Sequence, residues 1–195
     1  MRILTISCLI SLFLVSCKAL LLKKYKFNQE FKFQTKDEYL NYLQIKKKFN
    51  MSHVLYVDSN SNNNFANYIM DLHIAEYYGT LINDSTELKK SEKLQENLSC
   101  MGRVLTDINQ NILKLSDTSL YIKNDFKKFQ FRYVNSGELF RYDDSGIPLK
   151  IVLLYGYAFG TYYNDFYKAM NNFSAEHSKE AEVYIVALDY SYHFK

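Results

Sequence analysis

The chain is poor in the residues that interrupt or staple a fold. Among its 195 residues are one proline, no tryptophan, six glycines and three cysteines. So little Gly and Pro excludes a collagen-like or linker composition. Three cysteines cannot build a disulfide framework. The longest apolar stretch, Ile3 to Val15, is too short to cross a bilayer. No Gly-x-x-x-x-Gly-Lys phosphate loop, Gly-x-Ser-x-Gly elbow or Cys-x-x-Cys pair occurs. His53, His73, His177 and His193 lack zinc spacing with one another or with Cys100, and the His73–Glu76 pair has no second ligand pair. The run Lys46-Lys47-Lys48 stands without a Gly-rich RNA-binding signature, so nucleic acid is not an expected partner. No catalytic site, metal or cofactor is assigned.

What is present suffices for a core. Hydrophobic residues make up 48% and charged residues 23% of the chain, a single-domain composition. The net charge of +3 is unevenly spread. Residues 18–50 carry nine Lys against Glu30, Asp37 and Glu38, leaving residues 51–195 acidic. The basic stretch reads as a solvated face, or as one that lies against anionic lipid.

Met1-Arg2 followed by thirteen apolar-rich residues predicts a secretory signal over 1–17. Two readings of its end stay open. Leu14-Val15-Ser16-Cys17 resembles the lipobox of bacterial lipoproteins, in which Cys17 would carry the lipid. Cys17 and Ala19 also fit the small-residue pattern of an ordinary cleavage site. Cys100 lies on an apolar helical pattern and reads as a buried, inert thiol. Four N-glycosylation sequons begin at Asn50, Asn83, Asn97 and Asn172.

Thr35-Lys36-Asp37-Glu38 is a capping box that predicts a helix over 36–48, with Tyr39 and Leu43 inward. His53 to Val57 reads as a buried strand. Asp58, Asn60 and Asn62 occupy calcium-loop positions 1, 3 and 5. Asn63 replaces the required Gly and Ile69 the bidentate Glu, so calcium is not expected. Phe65 to Tyr78 reads as a helix closed by Gly79. From Ser85 the seam Leu94, Leu98, Met101, Leu105, Ile108, Ile112 and Leu115 has heptad spacing, resumed by Ile122, Phe126, Phe129 and Tyr133. It fits a coiled-coil helix or a helical subdomain. Gly102 and the later aromatics favour the second, an insertion at about 85–133.

Asn135-Ser136-Gly137 and the Asp143–Pro148 segment are turns, with Asp143 and Asp144 solvated. Ile151 to Tyr155 reads as a strand buried on both faces. After a loop at 156–160, Thr161 is the N-cap candidate of a helix with Tyr163, Phe166, Tyr167, Met170 and Phe173 inward. Glu182 to Phe194 reads as a strand with its even-numbered apolar residues on one face. Its Tyr-x-Tyr-x-Phe ending suits a membrane barrel, but the helical heptads argue against one. Strand, helix and strand of this length predict a parallel βαβ unit.

The strand–loop–helix resembles a thioredoxin-like core, with Ala158-Phe159-Gly160-Thr161-Tyr162 where redox members carry Cys-x-x-Cys. The expected fold class is α/β, a redox-inactive thioredoxin-like βαβ core with a large helical insertion. A basic segment at 18–50 precedes a domain over 51–195. Leu154-Tyr155-Gly156, Gly160-Thr161 and Phe166-Tyr167, with Leu139-Phe140-Arg141-Tyr142 upstream, resemble a segment of UDP-glucose:glycoprotein glucosyltransferases. Tyr167 stands where those proteins have His, and Asp189 where Arg-His is expected. The resemblance spans about 139–190. It implies a non-catalytic, folding-sensor-like domain of the endoplasmic reticulum that meets misfolded proteins through apolar surface. The alternative is a lipid-anchored bacterial envelope protein, scaffold or binding module, touching membrane only through Cys17.

Overall fold

A computed structural model describes residues 29–71, 77–83, 85–89, 101–113, 115–123, 126–142, 145–161 and 163–194. The signal segment, Cys8, Cys17, His73, Asn97, Cys100, Asp143 and Asp144 lie outside them. No described helix is long and apolar enough to cross a membrane.

The fold is mixed α/β, organised on one seven-stranded sheet. In chain order the strands are β1 Val54–Val57, β2 Tyr77–Asn83, β3 Thr86–Leu88, β4 Tyr121–Lys123, β5 Phe131–Tyr133, β6 Leu149–Tyr155 and β7 Ala181–Ala187. Their order across the sheet is β4-β3-β2-β6-β7-β1-β5. Among the described residues the helices are α1 Lys36–Asn41, α2 Asn62–Asp71, α3 Met101–Leu113, α4 Asn164–Glu176 and α5 Leu188–His193. β6, β7 and β1 form a parallel centre flanked by antiparallel strands. The predicted βαβ unit is present: α4 connects β6 to β7, with Ile151 opposite Val183 and Tyr155 opposite Ala187.

The period-2 alternation of β6 and β7 explains the two cores. Ile151, Leu153, Tyr155, Val183 and Ile185 face α4, α3 and the Tyr39–Leu43 side of α1. Val152, Leu154, Tyr184 and Val186 face Phe65 of α2 and a cluster of Phe126, Phe129, Phe131 and Phe140. All seven residues of β6 are buried, as expected of a strand covered on both sides. The predicted inward face of α4 is buried from Phe166 to Phe173, with Tyr163 at its start. Residues 29–50 belong to the same core through Tyr39, Leu43 and Phe49. Thr35 Oγ1 accepts from the Glu38 amide, and the Glu38 carboxylate reaches back to the Gln34 amide rather than to Thr35. A π-helical turn, Tyr42–Lys46, continues α1.

Four expectations are corrected. The helix assigned to 65–78 is Asn62–Asp71, and Tyr77, Tyr78 and Gly79 are strand. Aromatic and β-branched residues through Ile82 suit a ladder beside β6. A Cβ at Gly79 would lie 2.5 Å from Glu87 Oε2, so a larger residue there would displace the Glu87 carboxylate. The helical insertion at 85–133 holds, among the described residues, one helix and the strands β3, β4 and β5. Ile122, Phe126, Phe129 and Tyr133 keep helical spacing, yet sit on strands and a short 3-10 turn or beside it. The Asp117 carboxylate accepting from the Ser119 amide and hydroxyl starts a turn there instead. The last strand ends at Ala187, opposite the last residue of β6. Beyond it β6 offers no further partner, and the chain turns into α5, whose Ser191 hydroxyl accepts from the Val57 amide at the end of β1. Tyr190 and Phe194 are four apart, a spacing that fits a helix as well as a strand. Thr161 is not the N-cap of α4; Tyr163 occupies that position, without a side-chain cap.

Candidate functional site

Parallel strands present their ligand sites at their carboxyl ends, where neighbouring loops diverge to opposite faces. Here β1 leads to α2 on one face of the sheet and β6 to α4 on the other, with β7 between them. A crevice of about 490 Å³ opens at this point. Phe65, Ala66 and Ile69 of α2 form one wall, Phe159 of the β6–α4 loop and Leu188 of α5 another. Asp189 and His193 supply polar groups.

The β6–α4 loop is pinned from both sides. The Tyr157 amide donates to Asp189 Oδ2 at 2.6 Å. Lys47 Nζ donates to Asn164 Oδ1 at 2.7 Å and to Gly160 O at 3.3 Å. Gly160 has φ 64° and ψ −134°, a conformation open to glycine. The loop thus holds the Tyr157 and Phe159 backbone in a fixed arrangement, and its sequence contains no thiol. Tyr167 of α4 is buried, and its hydroxyl donates to Leu154 O.

Asp189 is part-buried and accepts a second hydrogen bond from the Tyr39 hydroxyl at 3.1 Å. Burial pushes its carboxyl above the usual range, although both donors and His193 oppose the shift. Tyr39 is pushed well up by burial and by that carboxylate. The Phe31 ring stacks on His193 at 3.8 Å, so the segment before α1 braces the crevice rim. Among the described residues Lys47 has no carboxylate partner. Desolvation lowers its amine to about 8, between the Tyr155 and Tyr42 rings at 5.4 and 5.7 Å.

A second polar centre lies at the amino ends of β6 and β7. Lys150 is 0% exposed. It donates to Glu182 Oε2 at 2.9 Å, to Ile147 O at 2.7 Å and to Ser145 Oγ. Here Glu182 pairs with the ammonium, and its own carboxyl is held below the usual range by Ser145, Lys150 and Tyr184 in spite of burial. The network is therefore an anchor between strands.

The other predicted residues do not gather. Asn50, Asn83 and Asn172 are exposed. Asn50 and Asn83 each accept from the amide and hydroxyl of the Ser two positions on. Asp58 of the calcium-like loop accepts from Arg132 Nε at 2.5 Å and from the Asn60 amide at 3.0 Å, and Asn62 opens α2. His53 packs on Tyr184 and His177 on Phe173. Among the described residues no His, Cys, Asp and Glu cluster has metal-holding geometry. Sequence reading missed Asp189 and Lys47 as site residues. The available signals were an acid inside the apolar run Val186-Ala187-Leu188 to Tyr190, and aromatic residues on both sides of the Lys run. No family model, curated protein or solved structure matches the chain.

Proposed function

We propose that this chain is a non-catalytic binding module of the secretory pathway, similar to the folding-sensor region of glycoprotein glucosyltransferases, and that the crevice receives apolar side chains of non-native polypeptides. The observation that carries this reading is the rigid, thiol-free β6–α4 loop bordering an apolar crevice at the carboxyl ends of β1, β6 and β7. A cavity of this size with a few polar groups suits ligand binding. The position of the loop between adjacent parallel strands is consistent with a redox-inactive thioredoxin-like core. The direct test is fluorescence anisotropy of a labelled, reduced and carboxymethylated polypeptide against its native form, with the full chain. Binding of the unfolded form alone, weakened by Ala66→Trp, supports the reading. Equal binding of both forms, or none, overturns it.

Leu14-Val15-Ser16-Cys17 supports a second reading, a lipid-anchored envelope binding module. Intact-mass analysis separates the two. Diacylglycerol on Cys17 excludes the endoplasmic-reticulum assignment, and glycan on Asn50 or Asn172 excludes the lipoprotein.

A further inference from the structure

We propose that the crevice is selective for an organic cation, an ammonium group on an aromatic or alkyl body, with the ammonium on Asp189 and the body between α2 and Phe159. This rests on the reading of the crevice as the binding surface and adds the chemistry that it selects. The first observation is where the charge sits. Asp189 is the acid among the described crevice-lining residues, at the end of an otherwise largely apolar wall. Tyr39 Oη and the Tyr157 amide both bond to Oδ2, and the Asp189 backbone amide also acts on the carboxylate. A carboxylate accepts about four hydrogen bonds, so these three donors leave it capacity for a further one.

The second observation is what Asp189 lacks. It forms no ion pair with a described side chain; the ion pairs present join Arg132 to Asp58 and Lys150 to Glu182. His193 is the described basic group facing it. An asparagine at 189 could accept both bonds with no buried charge. For holding the β6–α4 loop, the carboxylate is thus the costlier choice. Its distinctive property is attraction for a cation that enters the crevice. Phe159 and Tyr192 line the same opening, and aromatic rings also favour cations.

The test is an NMR titration of the full chain with 2-phenylethylammonium, 2-phenylethanol and 3-phenylpropanoate, three probes of one body and different heads. The ammonium should bind about tenfold tighter than the alcohol, the carboxylate weakest of all. Asp189→Asn should bring ammonium and alcohol to within about twofold, without lowering the melting temperature. Ala66→Trp, an exposed-site change that fills the crevice, should weaken all three. Equal binding of the three probes, no ammonium binding at about 10 mM, or a preference that survives Asp189→Asn overturns the inference. If unfolded polypeptide still binds and Ala66→Trp blocks it, the binding-module reading stands and the cation selectivity alone has failed. If the ammonium binds as described and unfolded polypeptide does not, the reverse holds.

Discussion

Replacing Lys47 by methionine should make the protein more stable. The side chain reaches the β6–α4 loop, gives two hydrogen bonds and meets two tyrosine rings, so removing its charge would ordinarily be counted as a loss. The amine, however, is desolvated with no carboxylate beside it among the described residues, and its pKa falls from 10.5 to about 8. A shift of that size is equivalent to about 3 kcal/mol for a fully buried group. Lys47 is half-buried, and solvent screening reduces the figure to roughly 1–2 kcal/mol. Methionine keeps the apolar stem and leaves Gly160 O and the exposed Asn164 amide open to water. The expected gain for Lys47→Met at pH 7 is about 1 kcal/mol, a rise in melting temperature of about 2–4 °C.

The pH dependence provides the sharper test. Between pH 8 and 10.5 the unfolded chain holds a proton on Lys47 that the folded chain has released, so stability rises with pH across that window. The native chain should therefore gain on the variant from pH 7.5 to 9.5, below the range in which unfolded tyrosines ionise. Urea unfolding at four pH values in that interval measures the difference. A variant less stable than the native chain at pH 7, or a gap independent of pH, would refute the reasoning.

Glu182→Gln leaves the Lys150 ammonium buried beside a neutral partner and should cost about 3 kcal/mol; the double change Lys150→Met with Glu182→Leu should cost less than the single one, both read by urea denaturation. Because the Glu182 carboxyl is held low, its contribution is present above pH 4.5 and lost as pH falls through its folded pKa. Acid titration of the native chain, set against Glu182→Gln, shows it as a steeper loss in the native chain. Met170→Ala opens a cavity between α4 and the β6–β7 face and should cost about 2–5 kcal/mol by the same assay. Gly160→Ala forces a side chain into a conformation available to glycine and should cost about 1–3 kcal/mol, with the loss seen as faster amide exchange at Tyr157 and Phe159.

The parts of the fold that could be read from sequence are those where a single physical pattern applied. Ile151 to Tyr155 is apolar at every position and has one solution, a strand covered on both faces. The α4 stripe from Tyr163 to Phe173 and the Thr35 cap are equally unambiguous. Failures came where two periods coincide. Tyr190 and Phe194 satisfy both a two-residue and a four-residue repeat, and the end of β6 at Tyr155, far away in sequence, decides between them. Ile122, Phe126, Phe129 and Tyr133 have helical spacing, but their rings are gathered around Phe65 and Phe131 by contacts that local spacing does not encode. The crevice was invisible for the same reason. Ala66, Phe159 and Asp189 come from three separate segments and meet only because β1, β6 and β7 end side by side. Asp189 stood in the sequence as a departure from a family pattern, and its partners Tyr39 and Tyr157 are distant in the chain.

The position of β7 has a consequence for synthesis. β1 emerges from the ribosome early, at Val54–Val57, and its parallel partner is the last strand of the sheet, Ala181–Ala187. The same late strand is the neighbour of β6. At a synthesis rate of roughly 5–20 residues per second, β1 therefore waits on the order of ten seconds for its inner partner. Until then one hydrogen-bonding edge of β1 and one of β6 lack their partner strand. Release of residues past Ala187 closes both edges at once and brings Asp189 to the Tyr157 amide in the same step. A chain stopped before Ala181 would lose the centre of the sheet rather than its margin.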